Sequence, residues 1–215
     1  MANKLANFFA RHWLAAINVW LAVYVGLPLL APVLMANGLE WPAAIIYKLY
    51  LFLCHELPHR SYFLFGPQAV YSLQELVDAA GVDALWGYPV GGAYREFTGN
   101  AQMGFKVSLC QRDMAIYSTM LLSGLVFSVL RRRVKPIPVW VYIALGLVPI
   151  GLDGVSQLIS YIVPSLMPGG VPRESSWILR TITGALFGWA TMALALPYLH
   201  ESFTAMEEQL AEPDA

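Results

Sequence analysis

The chain has 215 residues, of which 58% are hydrophobic and only 13% are charged, and its formal net charge is −1. Soluble domains usually have about 45–50% apolar and about 25% charged residues, so the composition excludes an ordinary soluble domain and indicates a polytopic membrane protein. The small net charge argues against a general attraction to nucleic acid. Two cysteines allow at most one disulfide, which excludes a disulfide-stabilised scaffold.

Five segments are apolar and long enough, at about 20 residues each, to cross about 30 Å of hydrocarbon. We therefore predict an all-α fold, a polytopic transmembrane helix bundle of about five spans over residues 1–200, followed by an acidic tail over 201–215. The first span is too long for the core of a secretory signal and is expected to be retained. The predicted spans are 13–35, 42–64, 113–130, 137–163 and 176–199.

Residues 66–110 form the one sizeable non-membrane segment, which we expect to be an external loop region. Ser72 and Glu75 fit a capping box, which predicts a short helix that ends at Ala80, before Gly81. The glycine- and aromatic-rich stretch 87–104 predicts a loop or a small hairpin.

Orientation depends mainly on the short basic loop Arg131–Lys135. The positive-inside rule places this loop in the cytoplasm of a multi-pass protein of the cell membrane. With five spans, the N-terminus and the loop region 66–110 are then external and the acidic tail is internal. Lys4 and Arg11 weigh against an external N-terminus.

Polar clusters interrupt the apolar chain, and the spans bring them to the membrane face opposite the basic loop. Ionisable groups at membrane depth cost about 2.5–3.5 kcal/mol each on insertion scales, so they usually face the bundle interior and indicate function. The clusters are Cys54 to Ser61, Cys110 to Asp113, Asp153 with Gln157, and Arg180 with Thr183.

Cys54, His55, Cys110 and Asp113 offer four ligands that suit tetrahedral zinc or another transition metal, with His59 as a further candidate. Two alternatives remain open: a disulfide in an oxidising outer compartment, or two buried thiols. Both shared roles, the metal and the disulfide, predict that the two sulfurs lie close together.

Asp153 and Gln157 are four residues apart, and therefore share one helix face. We expect Asp153 to pair with Arg180, either as part of a site or only to orient the helices. Gly184 and Gly188 form a Gly-x-x-x-Gly pair, which predicts close helix packing.

Arg60, Arg112 and Arg180 place guanidiniums near the same membrane face. Guanidiniums bind phosphates or carboxylates in a bidentate manner, so these three side chains are candidates for holding an anion. The alternative is that Arg60 and Arg112 lie at headgroup level and meet lipid phosphates.

These clusters resemble the pattern of an uncharacterised family of small bacterial and archaeal membrane proteins, a family of unknown function. Asp113 stands where that family usually has a second cysteine, and Ala115 where it has glycine, so a family metal site would exchange a soft ligand here for a harder one. The matching residues are Cys54-His55-x-x-Pro58-x-Arg60-Ser61, Cys110-x-Arg112 with Tyr117, Asp153-Gly154-x-x-Gln157, and Arg180-x-x-Thr183-Gly184.

We therefore predict a membrane-embedded, metal- or thiol-based site at the outer leaflet that acts on a lipid-soluble or anionic substrate. The metal would be held by Cys54, His55, Cys110 and Asp113. Arg112 and Arg180 would orient the anion beside Gln157, and Asp153 would serve as acid or base. The alternatives are a non-enzymatic subunit or scaffold of a larger membrane complex, and a small transporter that uses Asp153 and Arg180 along a polar path. Membrane lipids are the expected partners, with partner subunits in the scaffold case and no nucleic acid in any case.

Overall fold

The computed structural model describes residues 2–54, 57–81, 84–85, 88–89, 92–130, 133–163 and 172–211. The helices are α1 (Ala2–Ala36), α2 (Glu40–Leu51), α3 (Leu73–Ala80), α4 (Gly92–Glu96), α5 (Gln111–Leu130), α6 (Val139–Val141), α7 (Val148–Ile162) and α8 (Trp177–Ala211). The strands are β1 (Ser61–Leu64), β2 (Ala84–Leu85), β3 (Tyr88–Pro89), β4 (Gly99–Asn100) and β5 (Gly104–Cys110). A π-helical stretch, Tyr142–Leu147, joins α6 to α7, and a 3₁₀ turn, Pro58–Arg60, precedes β1.

The predicted fold class, a mostly helical bundle of membrane-spanning segments, is confirmed. Within the described part of the chain, four helical segments are long and apolar enough to cross a membrane. They lie at the first, third, fourth and fifth predicted spans, and the first and last extend beyond the predicted bounds. These segments are Ala6–Ala36, Gln111–Leu130, Val139–Ile162 and Trp177–Leu210.

The segment predicted as the second span, 42–64, differs from the prediction. Its helix, α2, ends at Leu51, and its 12 residues reach only about 18 Å at 1.5 Å per residue. The chain then turns, with the amides of Leu53 and Cys54 both donating to the Tyr50 carbonyl at 2.9 Å. Pro58 cannot continue the donor ladder of a helix, and the residues after the 3₁₀ turn pair as a strand instead.

A small antiparallel sheet of order β1-β5-β4 lies beside the bundle. In its register Ser61 is opposite Cys110 and Phe63 is opposite Lys106, with an irregularity after Ser61. The hairpin from β4 to β5 uses Gly99 and Gly104 at φ of +101° and +81°, a backbone conformation that favours glycine.

The loop region 66–110 shares a small core with β1, made of Phe63 from the strand and Tyr71, Leu76, Val77 and Tyr94 from the region itself. Its helix α3 has the predicted boundaries. Ser72 and Glu75 form the capping box, and Gly81 ends the helix in the left-handed conformation.

Helices α5 and α8 pack closely against each other through the predicted glycine pair. A Cβ atom at Gly184 would lie 2.6 Å from the carbonyl oxygen of Arg112, and one at Gly188 would overlap the carbonyl oxygen of Ile116. The absence of side chains at these two glycines therefore lets the first turns of α8 lie directly against the first turns of α5. This contact brings Arg180 close to the residues that begin α5.

Candidate functional site

Residues from all four polar clusters meet at one end of the bundle, around a cavity of about 230 Å³. Cys54 and Arg60 come from the segment after α2, Cys110 to Asp113 from the start of α5, Gln157 from α7 and Arg180 from α8. His55, one of the predicted metal ligands, lies outside the described residues. The lining is Leu53, Cys54, Leu57, Arg60, Cys110, Arg112, Asp113, Gln157 and Arg180.

Strand pairing brings the first cluster to the second. Ser61 pairs with Cys110 where β5 ends and α5 begins, and the buried side chain of Gln111 donates from Nε2 to the Ser61 carbonyl at 3.1 Å. Arg95 fixes the other side by donating to the carbonyls of Cys54, at 2.9 Å, and Leu51. The start of α5 is therefore joined to β1, and the end of α2 is joined to α4.

The thiols of Cys54 and Cys110 and the carboxylate of Asp113 lie within 4.8 Å of one another. Two ligand atoms that share a zinc ion, each about 2 Å from it, lie roughly 3–4.5 Å apart, so the spacing suits a common metal. The expectation that the two sulfurs lie close together agrees with this geometry. The two cysteines are not joined by a disulfide, so each sulfur can become a thiolate ligand of a metal.

A hydrogen bond with the Cys54 thiol is the largest of the effects that raise the pKa of Cys110 well above its ordinary value, and burial is the second. The negative charge of Asp113 acts in the same direction. The amide of Asp113 donates to Cys110 Sγ at 3.4 Å, which favours the thiolate, but the other effects outweigh it. A metal at this site would therefore take the place of protons.

Asp153 does not pair with Arg180, so the predicted ion pair is wrong. Its carboxylate, with the side chain only 2% exposed, pairs with Arg112 and with Arg173, whose Nη2 lies 2.9 Å from Oδ1. The Ser175 hydroxyl lies 2.8 Å from both of its oxygens. A Cβ at Gly154 would lie 3.6 Å from Arg112 Nη1, an ordinary van der Waals distance, so this contact does not require glycine. With both of its oxygens engaged, Asp153 is an anchor for Arg112 and for the segment before α8.

Glu174 takes the place that the sequence assigned to Asp153. Arg180 Nη2 lies 2.5 Å from its Oε2 and Arg60 Nη2 lies 2.5 Å from its Oε1. Gln157 Nε2 donates to Oε2 at 2.9 Å, and the Tyr161 hydroxyl donates to Oε1. One carboxylate therefore joins three cavity-lining side chains, from the 3₁₀ turn, α7 and α8.

Burial alone would raise the pKa of Glu174, but the neighbouring His59 imidazole and the hydrogen bonds and charge of Arg60 hold that pKa well below its ordinary value. Sequence reasoning missed both Glu174 and Arg173. They lie in a connection between predicted spans, where charged residues are ordinary, and no spacing rule indicates their partners.

His59 faces Glu174 and Tyr94 and is not among the ligand atoms gathered around the thiols. Its Nδ1 lies 2.9 Å from the Tyr94 hydroxyl, and its Nε2 lies 3.6 Å from Glu174 Oε1. Burial lowers the pKa of His59, and this effect exceeds the opposing influence of Glu174. The imidazole is therefore neutral at pH 7 and supports Glu174 from outside the cavity.

Comparisons with known proteins match this region of the chain. A family described as "Predicted membrane protein (DUF2085)" matches residues 101–194, which include β5, α5, α7 and the first half of α8. The uncharacterized protein MJ1492 of Methanocaldococcus jannaschii is 23% identical over 167 residues, 77% of this chain and 76% of that protein. No solved structure matches the chain. The resemblance to an uncharacterised family of bacterial and archaeal membrane proteins is confirmed, and over residues 101–194 the chain is similar to the DUF2085 predicted membrane proteins.

Proposed function

We propose that this integral membrane protein holds a transition metal, zinc in the first instance, at one membrane face and uses it on an anionic substrate. The carrying observation is the trio of Cys54, Cys110 and Asp113, whose ligand atoms lie within 4.8 Å of one another. The same cavity is lined by the guanidiniums of Arg60, Arg112 and Arg180.

The donor set suits zinc in a reactive site. Two sulfurs and one carboxylate oxygen supply three protein ligands, and zinc sites with three protein ligands keep a fourth position for water or substrate. His55, next to Cys54 in the sequence, is the candidate for completing a closed site instead. A metal with an open position polarises a substrate oxygen as a Lewis acid.

The guanidiniums would bind and orient the substrate beside the metal. Arg60 and Arg180 already converge on one anion, the carboxylate of Glu174, at 2.5 Å each. Arg112 is held by Asp153, so we assign Asp153 a positioning role and no longer that of acid or base. Gln157 supplies an amide donor on the same wall.

Four crossing helices also change the expected orientation. An even number of spans places the N-terminus, the basic loop and the acidic tail on the same side, and the positive-inside rule makes that side cytoplasmic. Lys4 and Arg11 then agree with the basic loop, whereas a five-span arrangement sets them against it. The cavity and the region 66–110 would face outside.

Elemental analysis of full-length protein, purified without chelator, tests whether the protein holds a metal ion. We expect about one zinc or other transition metal ion per chain, lost in Cys54→Ser and Cys110→Ser and weakened in Asp113→Asn, because each change removes a ligand. Asp78→Asn, at an exposed carboxylate on α3, is the matched control and should keep the metal. Wild-type protein that folds, carries no metal and takes none up from solution would contradict the proposal. Partner subunits that co-purify with such a protein would favour the scaffold function.

A further inference from the structure

We propose that the anion bound in this cavity is a phosphate group carried on a lipid. This inference takes its site from the proposed function. Its evidence is the arginines and an apolar edge, and it does not depend on the metal. It identifies the substrate class: an amphiphile whose head enters the cavity while its chains stay in the bilayer.

Arg60 and Arg180 share the carboxylate of Glu174, and Arg112 and Arg173 share that of Asp153, so each pair of arginines keeps one positive charge in excess. Among the described residues, the charged groups of the lining are three guanidiniums, of Arg60, Arg112 and Arg180, and one carboxylate, of Asp113. Planar guanidiniums match the oxygens of phosphate in a bidentate manner. Basic pockets between transmembrane helices are a recognised means of binding lipid headgroups.

One donor of the Arg112 guanidinium has no acceptor among the described residues. Its Nη2 pairs with Asp153, but its Nε is buried without a hydrogen-bond partner within the described part of the chain. A buried donor left unsatisfied is unfavourable. Arg112 also lines the cavity, so a ligand bound there would meet this side chain.

An apolar edge on α2 adjoins the cavity lining. Trp41, Ile45, Leu49 and Phe52 are spaced by four, four and three residues along α2 and its end, hence on one face, and they are 78%, 48%, 51% and 91% exposed. The next residue, Leu53, is 53% exposed and also lines the cavity.

A helix with such a stripe, too short to cross the membrane, lies in the interface with its apolar face among the acyl chains. The cavity lining thus combines Leu53, which adjoins the apolar edge, with three guanidiniums. A soluble phosphate would gain nothing from the apolar edge, whereas a lipid would use both.

Binding by the full-length protein, in detergent and after removal of metal with a chelator, tests this inference separately from the metal. Native mass spectrometry would compare the binding of phosphatidic acid with that of phosphatidylcholine. Calorimetry would measure the affinity for inorganic phosphate. We expect phosphatidic acid to bind at least about tenfold more tightly than phosphatidylcholine. Inorganic phosphate should bind more weakly than phosphatidic acid.

Two variants and a control complete the design. Arg112→Lys keeps the charge but loses the fork geometry, and should weaken phosphatidic acid binding. Leu49→Gln, on the apolar edge but outside the cavity lining, should weaken lipid binding without changing the affinity for inorganic phosphate. Arg133→Gln, exposed near the other end of α5, should change neither. Equal affinity for phosphatidic acid and phosphatidylcholine would overturn the proposal. So would inorganic phosphate that binds as tightly as the lipid, whether or not the metal is confirmed.

Discussion

Two carboxylates organise the arginines of this site, the buried Asp153 and the half-buried Glu174, and each holds a different pair. Glu174 joins Arg60 to Arg180, whereas Asp153 joins Arg112 to Arg173. Burying an ion pair brings little net stability, but removing one partner leaves an uncompensated charge at a cost of about 3–5 kcal/mol. The two groups therefore fix geometry more than they contribute stability.

This division predicts which double variants are coupled. Glu174→Gln and Arg180→Gln should each lower the thermal stability in detergent, and the double variant should recover part of the loss, with a coupling energy of about 0.5–3 kcal/mol. Asp153→Asn with Arg180→Gln should be nearly additive, because these residues share no partner. Thermal unfolding of the singles and doubles measures both cycles. Coupling between Asp153 and Arg180 that equals the coupling between Glu174 and Arg180 would contradict the assignment.

His59 predicts a dependence of stability on pH. It faces Tyr94, Glu174, Arg60 and Arg180, and its pKa lies below the ordinary value chiefly because of burial. Between the folded pKa and about 6.5, the unfolded chain binds a proton that the folded chain does not, so this contribution to stability is lost as the pH falls below about 6.5. The slope for one proton is at most about 1.4 kcal/mol per pH unit.

Thermal unfolding of wild type and His59→Gln from pH 8 to pH 5 measures this effect. The variant should show the shallower decline, whereas His12→Gln, at an exposed histidine of α1, should behave like wild type. Glu174 contributes in a lower window, because its depressed pKa means that its stabilisation is lost as the pH falls below about 4.3. Parallel pH profiles for wild type and His59→Gln would contradict the prediction.

At the scale of elements, hydropathy predicted the long helices and missed the division of residues 42–64. Ala43 to Leu53 and Tyr62 to Phe65 are both apolar, and a sliding count joins them into one span. The strand is stabilised by pairing with β5, about 45 residues later, and a local pattern carries no information about that partner. The capping box of α3 was predictable because all of its contacts lie within four residues.

The contact between α5 and α8 predicts that replacing glycine by alanine lowers stability at one position and not at another. Gly188→Ala should destabilise the protein by about 1–3 kcal/mol, because the new methyl group meets the rigid carbonyl of Ile116. Gly151→Ala on α7 is the matched control: a methyl group there would have no atom within 4 Å, and alanine favours helix by up to about 1 kcal/mol. Thermal unfolding in detergent compares them. Equal stability of the two variants would show that α5 and α8 do not approach each other this closely.

For the whole molecule, the number of crossings decides where the N-terminus lies. Single cysteines at Ala2, Gln102 and Arg133, in a background lacking Cys54 and Cys110, distinguish four spans from five. We expect an impermeant maleimide to label the Gln102 position on intact cells and the other two only after permeabilisation, because four spans place Ala2 with Arg133. Labelling of Ala2 together with Gln102 would support five spans. Labelling of Gln102 together with Arg133 would contradict the sidedness of the site.

The location of the site could be predicted from the sequence, but its pairing could not. Charged residues in apolar segments are few enough that Cys110 to Asp113, Asp153 and Arg180 mark the site by their composition alone. The choice of partner depends on angles between helices and on a connection that enters the site from outside the spans. Glu174 therefore appears only in the folded structure, although it contacts more of the cavity lining than Asp153 does.

The ion pair between Arg60 and Glu174 joins residues 114 positions apart, and this separation has a consequence for biogenesis. Chains are synthesised and inserted from the N-terminus, so the thiols, Arg60 and Arg112 are in place long before α8 leaves the ribosome. Until then Arg60 and Gln157 lack the carboxylate that joins them. A chain that stops at the end of α7 has neither Glu174 nor Arg180, and its Arg60 keeps an uncompensated positive charge. Completion of the site is thereby tied to completion of the chain.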